Sequence, residues 1–552
     1  MKLKTIITAA LLMVCGTIAM AQSAAVKGVS KSVFTLTAYD AEGSEQGRCH
    51  GLFIDNKGSG VTRWSVLQGA ARATVTDATG KSYEVQSITG SSSIYDMVLI
   101  QVDGQTQGAT LSRNKEADGS KVWVVGDAKS GTAGTTVTRS EVFMDRYNYY
   151  VLGTAVSAEM VACPVVNDKG QVLGLIEEGV GGRNSRATDV CFARDLSVDG
   201  IAVNDPQYAD MDIPLTLPKD REQALLAMML TSEHGNAAKY AKIARQFTQR
   251  FPNVTEGYSA QAYYLLQQKD YDGAANMMQQ AIAKVNKKDE AHFEYAKMIY
   301  QFLVYKAENP YPAWSMDLAM SQAKKANEIY PLPMYKHLQA QIKYAQQQYQ
   351  EAYDDFIGLT KTPMLNPELY YEAAQCKVQM KANDDEVLQL MDKAVETCKR
   401  PLGGESAVYF LARGEQLQHM GEYRKAVADY NVYDTLVAGR GTHDFYYKRA
   451  RAEEQAHMYK QALNDYAHAI VITGDPLYMA EMAALQLKLN MGEDALRTAE
   501  LIVARQPEYD EGYLLRGMAK IVLKRKAEGI ADLQKAQELG NDQAPKLIET
   551  YK

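Results

Sequence analysis

A nucleophile with a base beside it is the simplest catalytic unit a sequence can reveal, and two residues here raise that chemistry, His50 and Cys163. A cysteine attacks a carbonyl as its thiolate, which at neutral pH needs a base or a cation next to it. No histidine flanks Cys163, so it reads as an inert buried thiol or as one half of a disulfide with Cys191. His50 has no histidine neighbour either, the next being His234, and reads as an ordinary surface or core side chain. After residue 21 the cysteines are Cys49, Cys163, Cys191, Cys376 and Cys398, an odd set that leaves at least one thiol unpaired. None has the C-x-x-C spacing of a zinc or redox site, so no metal and no cofactor are expected.

The elements that would position these residues fall into two kinds. The chain has 552 residues, too many for one core, with 46% hydrophobic and 23% charged residues, as in globular proteins. A net charge of −7 over this length argues against a nucleic-acid partner. Residues 1–21 read as a secretion signal: Lys2 and Lys4, the apolar run Thr5–Val14, then Ala19-Met20-Ala21 before Gln22. A lipidated Cys15 is the alternative there, but Val14 is bulkier than the residue that normally precedes such a cysteine. No other segment is long and apolar enough to cross a membrane as a helix, so an exported protein, periplasmic or secreted, is expected.

Across residues 25–205, strand-like runs recur about every ten residues between Gly, Asp, Asn and Ser, which predicts an antiparallel barrel or sandwich. Ser32–Tyr39, Gly51–Asp55, Ala73–Thr76, Met97–Val102 and Lys121–Val125 are examples. Within residues 159–175, Pro164–Val166 and Gln171–Ile176 read as two strands joined by the tight turn Asn167-Asp168-Lys169-Gly170. This hairpin resembles the segment after the nucleophile in trypsin-like serine proteases of the bacterial high-temperature-requirement type. Gly51, Phe53, Ile54, Asp55, Gly58, Val61, Thr62 and Val66 are similar to that family's first-barrel segment. Tyr95–Ile100 is similar to the strand that carries the catalytic aspartate, Gly119–Gly126 to the strand opening the second barrel, and Val190–Ala193 to the closing strand.

The resemblance implies a double β-barrel whose catalytic positions are Ser65 for the histidine, Asp96 for the aspartate and Val161 for the serine. Only Asp96 keeps its side-chain type, and an aspartate alone orients a base that is absent. Ala162-Cys163 stands where a double glycine shapes the oxyanion site. The expectation is a pseudoprotease without a catalytic residue. The alternative is an endopeptidase with a non-standard nucleophile, with Cys163, His50 or a displaced Ser157 as the residues to consider.

Residues 206–220 belong to a proline-bearing stretch without periodicity, a linker or an extended strap. From 221 to 552 the pattern is amphipathic helix with a period of about 34 residues. Ala281, Ala326, Leu359, Ala394, Tyr433, Ala469, Ile502 and Ala536 mark successive second helices. Ala262, Ala340, Gly414, Ala450, Ala483 and Gly517 mark first helices, and an aromatic such as Tyr271, Tyr349, Tyr423 or Tyr459 follows the turn. The repeat resembles the tetratricopeptide repeat (TPR), in eight or nine units with Gln543–Lys552 as an end cap. The fold class expected is therefore multidomain: an all-β trypsin-like double barrel followed by an all-α TPR superhelix.

Such a superhelix implies that other proteins or peptides are the partners. His337 and Gln341, Leu411 and Glu415, Tyr447 and Arg451, and Leu514 and Met518 fall where one TPR subclass holds a terminal carboxylate with Lys and Asn, and none shows that pair. Tyr447, Lys448 and Arg451, with Arg449 nearby, form the most basic part of the first-helix wall and would favour an acidic peptide.

Overall fold

The computed structural model describes residues 22–177, 184–208, 211–233, 236–305 and 311–552. The expected leader at 1–21, with Cys15, lies outside them. Among the described residues the chain is a double β-barrel followed by an all-α superhelix of helix pairs.

The first barrel contains β1 (Val33–Tyr39), β2 (Glu45–Phe53), β3 (Ser59–Thr62), β4 (Arg72–Thr76), β5 (Ser82–Ser92) and β6 (Met97–Val102). Its order is β1-β2-β3-β6-β5-β4, and pairing of β1 with β4 closes it. The second contains β7 (Lys121–Val125), β8 (Thr132–Phe143), β9 (Tyr147–Leu152), β10 (Pro164–Val166), β11 (Val172–Ile176) and β12 (Arg186–Asp189). Its order is β10-β11-β12-β9-β8-β7, closed by pairing of β10 with β7. Among the described residues, closure pairs each barrel's first and last strands in this order, so neither sheet ends in an open edge strand. β10 and β11 form the hairpin expected from the sequence, and Gly170 takes its turn at φ +72°.

Three short helices punctuate the barrels: α1 (Ala24–Gly28), α2 (Trp64–Leu67) and α3 (Val190–Arg194). The last corrects the sequence reading of Val190–Ala193 as a closing strand. β12 stops at Asp189, whose carboxylate accepts the Cys191 amide at 2.8 Å and caps a helix instead. Residues 211–217 form a strap along β5: Ile88 donates to the Pro214 carbonyl at 2.9 Å and Thr216 to the Ile88 carbonyl at 2.7 Å. Ile213, Leu215 and Leu217 on this strap are buried and join the first barrel's core to Ala224, Met228, Ile243 and Phe247 of the helices that follow.

Those helices come in pairs: α4 (Arg221–Glu233) and α5 (Ala237–Arg250), then α6 (Thr255–Gln267) and α7 (Tyr271–Lys284). α8 (Lys288–Tyr305) and α9 (Met316–Ile329) follow, then α10 (Pro333–Ala345) and α11 (Tyr349–Leu359), and α12 (Pro367–Gln379) and α13 (Asp384–Thr397). The remaining pairs are α14 (Ala407–His419) and α15 (Tyr423–Leu436), α16 (His443–Gln455) and α17 (Tyr459–Thr473), α18 (Pro476–Lys488) and α19 (Gly492–Arg505), and α20 (Asp510–Val522) and α21 (Lys526–Glu538). α22 (Ala544–Tyr551) ends the chain. Contacts group the chain into two compact units, Met1–Tyr295 and Ala296–Lys552.

One turn recurs between the helices of a pair. A left-handed residue ends the first helix at Lys269, Gln347, Lys381, Gly421, His457, Asn490 and Lys524. The next amide reaches five residues back, as in Gln348 to Lys343 at 2.9 Å, Met458 to Glu453 at 2.7 Å and Arg525 to Lys520 at 2.8 Å. That bond satisfies a carbonyl the helix end would leave open and reverses the chain in a fixed geometry.

Candidate functional site

The cleft of the double barrel holds the residues at the expected catalytic positions. Asp96, at φ +47°, lies just before β6 and faces the turn that begins α2. Its carboxylate accepts Arg63 Nε at 2.7 Å, the Ser65 amide at 2.6 Å and the Ser65 hydroxyl at 2.9 Å. Ser65 and Asp96 are thus in contact, with the hydroxyl donating and nothing at Ser65 able to take a proton at neutral pH. Val161 lies on the opposite lobe. Asp96 and Ala162 line one cavity of about 280 Å³, Val161 and His50 line another of about 740 Å³, and Arg63, Ile176 and Glu177 border both. Ser65 and Asp96 come together; Val161 meets them only through these shared walls.

The loop before β10 explains itself from the amides upward. Ala158–Met160 is a 3-10 turn in which Met160 donates to the Ser157 carbonyl at 2.9 Å and Val161 to the Ala158 carbonyl at 3.3 Å. The Ala162 amide donates to Ile176 at 2.8 Å and the Cys163 amide to Met160 at 3.1 Å. All three amides at 161–163 are spent within the protein, so none is free to hold an oxyanion. Ala162 sits at φ +65°, the left-handed region that a glycine would enter without strain.

Cys163 is fully buried in the second barrel's core among Val122, Val124, Tyr150 and Leu173. Burial pushes its thiol well above the ordinary range, and the charge of Asp127 adds to that. Cys163 and Cys191 belong to different core clusters and both are free thiols, as are Cys49, Cys376 and Cys398. A thiol held protonated in an apolar core is a poor nucleophile.

His50 on β2 meets a partner the sequence did not suggest. Its Nε2 lies 3.1 Å from Ser130 Oγ, on the loop between β7 and β8. Burial lowers the imidazole's affinity for a proton, and Asp127 offsets part of this. Burial works against the Asp127 charge, yet hydrogen bonds from Ser130 and Lys129 outweigh it and hold that carboxyl below its usual range. A serine hydroxyl, a largely neutral imidazole and a carboxylate therefore share the larger cavity with Val161. The hydroxyl lies between the other two, and the 80 residues separating Ser130 from His50 hid the pair in the sequence.

A second surface is built by the first helices of successive pairs. His337 Nε2 on α10 bonds Glu372 Oε2 on α12 at 2.5 Å, and Gln341 Nε2 bonds Glu372 Oε1 at 2.7 Å. Tyr371 on α12 meets Tyr409 on α14 with ring centres 5.9 Å apart. Lys448 on α16 reaches Glu415 on α14 at 2.9 Å, and Tyr447 and Arg451 reach Glu481 on α18 at 3.1 and 3.0 Å. Sequence separations of 30 to 35 in these hydrogen bonds are the repeat period seen as contact. Lys448 and Arg451 are thus engaged with carboxylates, and Arg449 is turned inward to Asp465 at 2.5 Å and Asp434 at 3.0 Å.

That inward arginine belongs to a pattern the sequence reading missed. Arg413–Asp429, Arg449–Asp465 and Arg516–Asp532 are bidentate pairs between the two helices of a unit, each 16 residues apart. The signal was available: each arginine immediately precedes a first-helix small residue, Gly414, Ala450 or Gly517. No protein-family model matches the chain, and no curated protein matches it.

Proposed function

We propose that this chain is an exported, non-catalytic protein that binds other polypeptides. The helical half serves as a TPR-type superhelix, and the double barrel is a trypsin-like domain that has lost its base and its nucleophile. The observation that carries this reading is the continuous first-helix wall from α10 to α18, on which polar and aromatic side chains bridge from unit to unit. A wall of this kind presents side chains at regular intervals, which suits an extended peptide. In the cleft, Ser65 beside Asp96 and a Val161 amide spent on Ala158 support the absence of triad chemistry.

Probing an array of peptides with the full-length protein tests the reading. Bound peptides are expected to lose affinity at least about tenfold, about 1.4 kcal/mol, in Tyr447→Ala and Arg451→Glu variants. His50→Ala should leave their binding unchanged. If no peptide binds, or wall substitutions have no effect, the reading fails.

One observation favours the enzymatic alternative, the 3.1 Å contact of Ser130 Oγ with His50 Nε2 in an open cleft. Fluorophosphonate labelling that disappears in both Ser130→Ala and His50→Ala would make the barrel a hydrolase with a relocated nucleophile. An unlabelled wild-type protein returns it to the binding role.

A further inference from the structure

α12 presents Glu368 and Glu372 one helical turn apart on the same face. Across from them, α10 contributes His337. The donor atoms of these three side chains all lie within 4.8 Å of one another. Among the described residues neither glutamate pairs with a lysine or an arginine, so one imidazole stands against two carboxylates. The imidazole is held from behind by an edge-on contact with Phe356, ring centres 5.8 Å apart. Gln341 fixes the far oxygen of Glu372 at 2.7 Å.

We propose that His337, Glu368 and Glu372 form a binding site for a divalent first-row transition ion of the zinc class. One imidazole nitrogen and two carboxylate oxygens are a donor set such ions take, whereas calcium and magnesium favour oxygen alone. Bond lengths of about 2.0–2.2 Å place tetrahedral donors about 3.3–3.6 Å apart, so His337 Nε2 and Glu372 Oε2, now 2.5 Å apart, open around the ion while rotation of the exposed Glu368 side chain brings its carboxylate to the same centre. Insertion replaces the His337–Glu372 hydrogen bond: the ring binds as the neutral tautomer with its proton on Nδ1, an imidazolium releasing the Nε2 proton to solvent and a neutral Nε2–H ring exchanging it for one on Nδ1, and the Nε2 lone pair goes to the ion. The ion supplies the positive charge that two adjacent carboxylates lack. Gln341 then orients Glu372 from outside the coordination shell. A fourth position remains for water or for a donor from a peptide lying on the first-helix wall.

Equilibrium dialysis of the EDTA-stripped full-length protein against zinc, with metal analysis, tests this. The wild type should bind one equivalent that is lost in His337→Ala and Glu372→Gln. Gln341→Leu should weaken binding by about tenfold, as expected for an orienting partner. Glu368→Gln is isosteric and its site is exposed, so it serves as the variant least able to disturb the fold; it too should lose at least about tenfold. Cobalt added to the wild type should give a visible d–d absorption band that zinc displaces. The proposal is overturned if the wild type takes up no zinc and shows no cobalt band, or if folded His337→Ala and Glu368→Gln bind as the wild type does. Neither outcome bears on peptide binding at Tyr447 and Arg451, which lie on α16.

Discussion

At the scale of single residues, the side chains at the positions the protease resemblance singles out are engaged in structural contacts. Asp96 holds the Arg63–Ser65 turn, and Cys163 fills the second core. Ala162 shows the strain this leaves. An alanine at φ +65° costs about 1–2 kcal/mol relative to right-handed backbone. Ala162→Gly removes that strain but loses some chain entropy, so it should stabilise the barrel by up to about 1 kcal/mol, read as a raised Tm. A lowered Tm would mean that the methyl group packs better than its backbone suggests. Glu453 gives a sharper test. It is 3% exposed, and its Oε2 has no hydrogen-bond partner among the described residues. Burial and then the nearby Asp465 push its carboxyl up to about 8, with Arg449 offsetting part of this. A raised folded pKa means the folded state holds the proton more tightly than the unfolded state. Its stabilising contribution is present below about pH 4.5 and is lost as pH rises to about 8. Glu453→Gln should therefore flatten the pH dependence of melting between pH 5 and 8 and be the more stable form at about pH 9. Parallel melting curves for the two proteins across that range would contradict the assignment.

At the scale of elements, the helix pairs are joined by three devices: the left-handed turn, close approach at small residues, and the buried arginine–aspartate pair. At Gly517 an added Cβ would lie 2.9 Å from the Gly529 carbonyl oxygen, so α20 and α21 touch where neither carries a side chain. The Arg449 and Asp465 side chains are 10% and 6% exposed. Removing one member strands the other charge in the interior, so Arg449→Ala should cost about 3–5 kcal/mol in urea unfolding. The double variant Arg449→Met with Asp465→Leu removes both charges and should recover much of that loss. A double variant as unstable as the single one would show that packing of the guanidinium, rather than its charge, matters. The turn was legible in the sequence where an aromatic follows it, at Tyr271, Tyr349, Tyr423 and Tyr459; Lys381, Asn490 and Lys524 make the same turn without one. The arginine pairs were not legible, because a separation of 16 becomes meaningful only once two helices are folded back on each other.

At the scale of the molecule, the first unit is held together by a segment that looked like a connector. Leu215, 5% exposed, lies in one apolar cluster with Phe34 and Ile88 of the barrel and with Ile243 and Phe247 of α5. Leu215→Ala should destabilise that unit by about 2–5 kcal/mol. Hydrogen exchange should show protection lost together in β5 and α5; loss confined to one of them would mean the cluster does not act as a unit.

The sequence by itself determined the two architectures, because alternation over short runs and a period of about 34 residues are local patterns that each element imposes on its own chain. It also determined that valine stands at 161 and serine at 65, the positions that the protease resemblance aligns with a nucleophile and a base. The fate of Val190–Ala193 was decided by one side-chain cap, Asp189 to the Cys191 amide, against the strand its residue types suggested. The contacts of Ser130 with His50, of His337 with Glu372, and of Leu215 with the barrel were decided only by the tertiary structure. Each joins residues 35 or more positions apart, and such contacts depend on how barrels close and helices stack, which no window along the chain can display.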